Sequence, residues 1–308
     1  MKTPMLSRRH LLMAAAALPL GTGLAGTARA AAEMKGASTP QFSRFKLGGF
    51  EVTTLLAGTR TVAEPDKIFG LNADPAEFEA VSTAAFLPTD KSQFFFTPTV
   101  INTGSELVLF DSGLNPGGIG AALAAAGYTP DQVDTLVLTH MHGDHIGGMM
   151  DGDKETFANA RILTGAVEHN YWMGAGNKGF DANVRPLNDK ISFLDDGGRV
   201  TGGITSMLAP GHTPGHMGYR VESEGQNLVL IADLANHYVW SLAHPDWEVR
   251  FDMDKATAAK SRRRVLGMLA TDRVPFIGYH MPFPALGYAE ARGDGFHYVP
   301  ASYQMMMA

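Results

Sequence analysis

Apolar positions fall into short, punctuated runs along most of the chain. Phe50 to Leu56 reads as a strand, and Thr99 to Asn102 with Glu106 to Phe110 as a hairpin across Thr103-Gly104-Ser105. Ile119 to Ala126 predicts a helix stopped by Gly127. Asp134 to Leu138, Arg161 to Leu163, Ile204 to Leu208, Met217 to Val221 and Leu228 to Ala232 predict further strands. Lys255 to Ala270 has an amphipathic helical pattern, and Val274 to Tyr279 predicts a last buried strand. Two stretches lack a clear period. Residues 58–96 read as irregular around the aromatic patch Phe94-Phe95-Phe96, and residues 165–190 as a short helix with a Gly-rich loop. No repeat or low-complexity linker divides the chain, which points to a single α/β domain with two sheets between helices.

The start of the chain has a different character. Ser7-Arg8-Arg9-His10-Leu11-Leu12 is a twin-arginine pattern, followed by a short apolar run and the small-residue site Ala28-Arg29-Ala30. Residues 1–30 are therefore expected to be a twin-arginine signal peptide, residues 31–44 a flexible arm, and residues 45–308 the catalytic domain. A periplasmic or secreted protein is expected, with no stable membrane span. Without Lys2, Arg8, Arg9 and Arg29 the net charge of −6 becomes −10. A chain that acidic is a poor general partner for nucleic acid, because phosphate contacts need clustered Lys and Arg. The cluster Arg262-Arg263-Arg264 reads as a solvated helix face. Cysteine is absent, so any metal must be held by His, Asp and Glu.

The chemistry concentrates in Thr139-His140-Met141-His142-Gly143-Asp144-His145, directly after a predicted strand. His140 and His142 are two apart, so in extended geometry they face one side. The turn at Gly143 offers Asp144 and His145 in a new direction, which allows two adjacent metal positions. Imidazole and carboxylate together suit zinc, manganese, iron or cobalt. The loop Gly211-His212-Thr213-Pro214-Gly215-His216, the strand end at Asp233 and the strand end at His280 add further donors. No G-x-S-x-G elbow occurs, so no serine hydrolase signature competes.

These motifs resemble the metallo-β-lactamase fold superfamily. The branch most similar holds methyl parathion hydrolase and related exported organophosphorus hydrolases. Asn102-Thr103-Gly104, Ala125-Ala126-Gly127-Tyr128, His280-Met281-Pro282-Phe283-Pro284 and the tail Gly295-Phe296-His297-Tyr298-Val299-Pro300 carry that likeness. N-acyl homoserine lactonases are more distantly similar. The resemblance implies an αββα sandwich of two mixed sheets flanked by helices. It implies two divalent ions, with zinc the first expectation. His140, His142 and His212 would hold one, Asp144, His145 and His280 the other, and Asp233 would bridge them.

It also implies a dinuclear hydrolase of organophosphotriesters or lactones, acting on a small apolar ester. Asp233 and Asp144 are the candidate catalytic carboxylates, with Asp144 able to move a proton. His216 is expected to support the ligands rather than join them. Asp111 either caps its turn or orients a ligand histidine. Trp172 and Phe180 are the candidate substrate-pocket aromatics. The patch Phe94 to Phe96 is a second candidate wall, or equally a homodimer interface. The lactonases carry a tyrosine three residues after the bridging aspartate. Here that position is Asn236, leaving Tyr238 or His237 as substitutes. A mononuclear iron oxygenase of the persulfide dioxygenase kind, using His140, His212 and Asp233, and a true β-lactamase are the competing readings.

Overall fold

The computed structural model describes residues 32–305. The predicted signal peptide lies outside them. Residues 32–38 are exposed and without regular structure, and the chain from Thr39 onward forms a separate compact unit. The expected arm is shorter than its sequence suggests, because Phe42–Leu47 is already a strand, paired antiparallel with Phe50–Leu55.

Two seven-stranded mixed sheets make the centre of this unit. In the first, the strands run in the order Phe42–Leu47, Phe50–Leu55, Thr99–Asn102, Leu107–Phe110, Thr135–Val137, Arg161–Gly165 and Ile191–Leu194. Pairing is antiparallel up to Leu107–Phe110 and parallel beyond it. The second runs Arg199–Thr201, Ile204–Leu208, Met217–Ser223, Gln226–Ala232, Phe276–Gly278, Leu286–Arg292 and Gly295–Pro300. Only Gln226–Ala232 with Phe276–Gly278 is parallel there.

Alternation along the first sheet explains why its strands read as continuous apolar runs. Ile101, Val108, Phe110 and Val137 point into a core shared with Ile204, Met217, Tyr219 and Leu230 of the second sheet. Val100, Leu109 and Leu136 point the other way, onto Ile119 and Leu123 of the helix Pro116–Ala125 and onto Trp172 and Phe180. Both faces are covered, so no position needs to be polar. On the far side, the helix Lys255–Asp272 buries Val265, Leu266 and Leu269. The αββα sandwich expected from the resemblance is the observed architecture.

Two sequence expectations are corrected here. Residues 58–96 are ordered: Gly58–Ala63 and Lys91–Phe96 form a separate antiparallel hairpin around the helix Pro75–Ala84. Phe94 and Phe96 are buried with Phe69, Phe78, Trp240 and Trp247 in a third cluster. These two rings are packed within this chain, so the alternative reading of the patch as a homodimer interface has no support. The second correction is Arg262, which is 1% exposed and not part of a solvated face. Its guanidinium donates to the carbonyls of Leu234 (2.9 Å) and Pro245 (2.7 Å) and to Asp252 Oδ2 (2.7 Å). Periodicity could not show this, because the partners lie in loops remote in sequence. Among the described residues, no helix is long and apolar enough to cross a membrane.

Candidate metal centre

Each donor comes from the end of a strand or the turn just beyond it. Thr135–Val137 delivers His140 and His142, and the single turn Gly143–Ile146 carries Asp144 and His145. The loop between Ile204–Leu208 and Met217–Ser223 supplies His212. Gly211 in that loop has φ of 122° and its Cα abuts the backbone of Ala258, where a Cβ would come within 2.1 Å. Only glycine fits both conditions. Asp233 follows Ala232, which is held at φ of 46° where the parallel ladder shifts register. That strained residue re-aims the chain so that a carboxylate, not the next apolar side chain, enters the site.

His140 Nε2, His142 Nδ1 and His212 Nε2 lie 3.0–3.2 Å from one another. His140 Nε2 and His212 Nε2 are both lone-pair acceptors by tautomer, so that pair cannot hydrogen-bond to each other. Asp252 Oδ1 takes the Nδ1 proton of His212 at 2.9 Å, and the Thr139 hydroxyl takes that of His140 at 3.1 Å. Tetrahedral zinc with nitrogen ligands at about 2.0–2.1 Å spaces those ligands roughly 3.3 Å apart. The triad is therefore close to the face of such a coordination sphere.

Beside it stand Asp144, His145, Asp233 and His280, with one donor atom of each within 4.8 Å of the others. His280 Nε2 is 3.4 Å from Asp144 Oδ2 and 3.2 Å from Asp233 Oδ2. Asp233 Oδ2 is also 3.3 Å from His212 Nε2, so one carboxylate reaches both groups. His145 Nε2 and Asp233 Oδ1 are 3.2 Å apart, yet both are buried without a hydrogen-bond partner. Orphaned donors of this kind are what a bound cation would satisfy.

The electrostatics agree. Against the cost of burial, His280 and His145 hold the Asp233 carboxyl well below the usual carboxylate range. Burial opposes a charge on His145 too, but Asp233, Asp111 and Asp144 raise it well above an ordinary imidazole. The oxygen-rich half thus demands positive charge. The nitrogen triad presents lone pairs instead: burial and neighbouring imidazoles keep His140 neutral and push His142 down to about 3.

A layer of partners fixes the ligand rings. Asp111 Oδ2 sits 2.8 Å from His145 Nδ1, while its carboxylate also accepts from the amide and hydroxyl of Thr139, both at 2.9 Å. Of its two readings, the geometry has Asp111 orienting His145, one of the candidate ligands. His216 points its Nδ1 at the Ala209 carbonyl (3.0 Å) and its Nε2 accepts from the Asp233 amide (3.2 Å), a supporting role. Asn236 donates to Asp233 Oδ2 at 2.9 Å.

Several contributors had no local signal. Asp252 holds His212, and the Phe95 carbonyl holds His280 Nδ1 at 2.9 Å. Tyr279 lies against His145 and donates to the Asp144 carbonyl at 2.5 Å. Buried Glu168 accepts from Met141 N (3.0 Å), Gly215 N (2.9 Å) and Trp172 Nε1 (2.6 Å), tying the two ligand loops together.

The pocket aromatics need correction. Phe180 is wholly buried behind the first sheet, against His169 and beneath Arg185, and is core rather than wall. Trp172 is buried, its ring centroid 5.8 Å from that of His142 in an edge-to-face arrangement, and it is not among the residues that line the cavity over the donors. The cavity over the donors, about 480 Å³, is lined instead by Phe94, Phe96, Val62, Leu114 and Phe251, with Arg60 and Arg250 at its rim. Of the aromatic patch, Phe94 and Phe96 thus line this cavity.

With this geometry in place, comparison with known proteins is informative. The family model of the Metallo-beta-lactamase superfamily matches residues 97–276, more than half of the chain. An N-acyl homoserine lactonase of Bacillus thuringiensis is 28% identical over 109 residues, covering 35% of this chain and 41% of the relative. The chain spans about half the length of the Bacillus relatives it matches, 54% and 41%. Among solved structures, AidC, described as a dizinc quorum-quenching lactonase, superposes with a TM-score of 0.79 at 26% identity. That match covers 85% of this chain and 97% of AidC. The hydrolase AbOPH shares the fold, with a TM-score of 0.78 at 23% identity over 86% of this chain and 99% of its own.

Proposed function

The chain belongs to the metallo-β-lactamase superfamily, and on that premise we propose that it is a dinuclear hydrolase of carboxylic esters and lactones. Organophosphotriesters are the second substrate class for the same site. The observation that carries the reading is the shared carboxylate: Asp233 reaches both His212 and His280 while its Oδ1 and His145 Nε2 remain orphaned. His140, His142 and His212 would hold one ion, and Asp144, His145 and His280 the other, with Asp233 common to both. The likeness to AidC favours zinc in each place and lactones as substrates.

Two such ions, when bound, supply a hydroxide at neutral pH and polarise the ester oxygen. The protein's own part is to orient and to move a proton. Asp111, Thr139, Asp252 and the Phe95 carbonyl fix four ligand rings, so no ring has to reorganise during turnover. Asp144 is the more exposed of the two carboxylates that line the cavity, 22% against 4% for Asp233, and it can pass a proton to the leaving alcohol. Phe94, Phe96 and Phe251 bury the apolar part of the ester and exclude water.

A one-iron oxygenase on His140, His212 and Asp233 would leave His145, His280 and Asp144 without a task. Metal analysis of the purified protein, joined to kinetics on a lactone, a phosphotriester and a β-lactam, tests the reading. About two divalent ions per chain and lactone turnover are expected. One tightly held iron, with oxygen consumed during turnover, would overturn it. We infer in addition that the protein is exported by the twin-arginine route, on the strength of Ser7-Arg8-Arg9 and Ala28-Arg29-Ala30.

A further inference from the structure

Four residues after Asp233, His237 is buried to 6% exposure, with its ring stacked on Trp240 at 3.9 Å. Two backbone amides aim at its Nδ1: Val239 N at 3.2 Å and Trp240 N at 3.3 Å. A ring nitrogen that accepts from amides cannot carry the proton, so the proton is on Nε2. Burial pushes this imidazole down to about 3, so the ring is neutral and its tautomer fixed across the working pH range. Among the described residues, no group accepts a hydrogen bond from Nε2.

The ring borders a second cavity of about 410 Å³, walled also by Phe95, Leu87, Tyr238 and Trp240. The hairpin Gly58–Ala63 with Lys91–Phe96 separates this cavity from the one over the metal centre. Alternation along its second strand sends Phe94 and Phe96 to the metal side, and Gln93 and Phe95 to the other. His280 lines both cavities, so one candidate metal ligand is a wall common to the two. The part of the occupant that meets His237 should be uncharged, since His237 offers a neutral donor among apolar rings. A site with a buried donor discriminates against chains that leave it unpaired.

We propose that the second cavity takes the chain of the ester substrate and that His237 Nε2–H donates to a carbonyl oxygen on that chain, making His237 a specificity-determining residue. This rests on the ester-hydrolase reading for the reacting end only. The test compares two γ-lactones, one carrying an acylamino chain and one an alkyl chain of equal length, at full metal occupancy. The wild-type protein should prefer the acylamino lactone in kcat/KM by roughly tenfold or more. In His237→Asn the amide oxygen still accepts from Val239 and Trp240, but no donor reaches the cavity. That variant should lose the preference, and His237→Gln, which restores a donor near the Nε2 position, should recover part of it. An unchanged preference in His237→Asn, or an equal fall on both lactones, would overturn the inference. A readout without turnover separates this from the reaction itself. Long-range proton–nitrogen NMR should show His237 as the Nε2–H tautomer, with that signal moving when N-methylhexanamide is added. An Nδ1–H tautomer, or no movement at saturating amide, refutes the proposal even if lactones are hydrolysed. If neither lactone is turned over but the signal moves, the ester reading fails and the donor site stands.

Discussion

Asp252→Asn changes one oxygen to an amide nitrogen and probes how a ligand tautomer is held. Asp252 is buried between His212 Nδ1 at 2.9 Å and Arg262 Nη2 at 2.7 Å. Burial would raise its carboxyl, but His212 and Arg262 hold it below the usual carboxylate range. Both neighbours are donors, and an asparagine has one acceptor face to offer them. If its oxygen keeps His212, its amide meets the guanidinium donor to donor. If its oxygen turns to Arg262, its amide donates to His212 Nδ1, moves that ring's proton to Nε2 and blocks the ligand nitrogen. Removing one partner of a buried ion pair costs about 3–5 kcal/mol. In a domain of this size that corresponds to a Tm lower by about 2–4 °C per kcal/mol, or roughly 10 °C. Loss of a group that orients a ligand weakens metal binding by about 10–100-fold. Chelator competition should find that loss at one of two sites only, because Asp252 touches His212 and none of Asp144, His145 and His280. Calorimetry gives the Tm. Two wild-type metal affinities together with a Tm within 2 °C of wild type would refute this account of how the His212 tautomer is set.

Other outcomes follow from the same structure. Phe180→Ala should cost about 3–5 kcal/mol of stability in denaturant titration while leaving the ratio of kcat/KM on bulky and small esters intact; a changed ratio would return Phe180 to the substrate wall. His216 and His237 are each held down to about 3 by burial. The unfolded chain binds their protons below about pH 6.5 and the folded chain does not, so stability should fall by about 1.4 kcal/mol per pH unit for each as pH drops from 6.5 towards 3. Flat stability from pH 7 to 4.5 in denaturant melts would contradict that. Replacing Arg8 and Arg9 by Lys should leave precursor in the cytoplasm, and undiminished periplasmic protein on fractionation would point to another export route.

The sequence by itself determined most of the candidate metal centre. Four of its seven donors stand within six residues, and alternation followed by a turn is a local rule that distributes them to two positions. His212, Asp233 and His280 were legible because each ends an apolar run or sits in a Gly/Pro turn, where side chains emerge at a sheet edge. The layered architecture was legible too, since a run such as Leu107 to Phe110 can be apolar throughout only if both its faces are covered. What the tertiary structure decided is who meets whom across the chain. Arg262 reads as one of three helical arginines until Asp252, Leu234 and Pro245 close around it. Phe180 and Phe94 read alike as loop aromatics, and only packing sends the first into the core and the second to the cavity. Burial and pairing depend on neighbours brought together by folding, and such neighbours leave no period in the sequence to read.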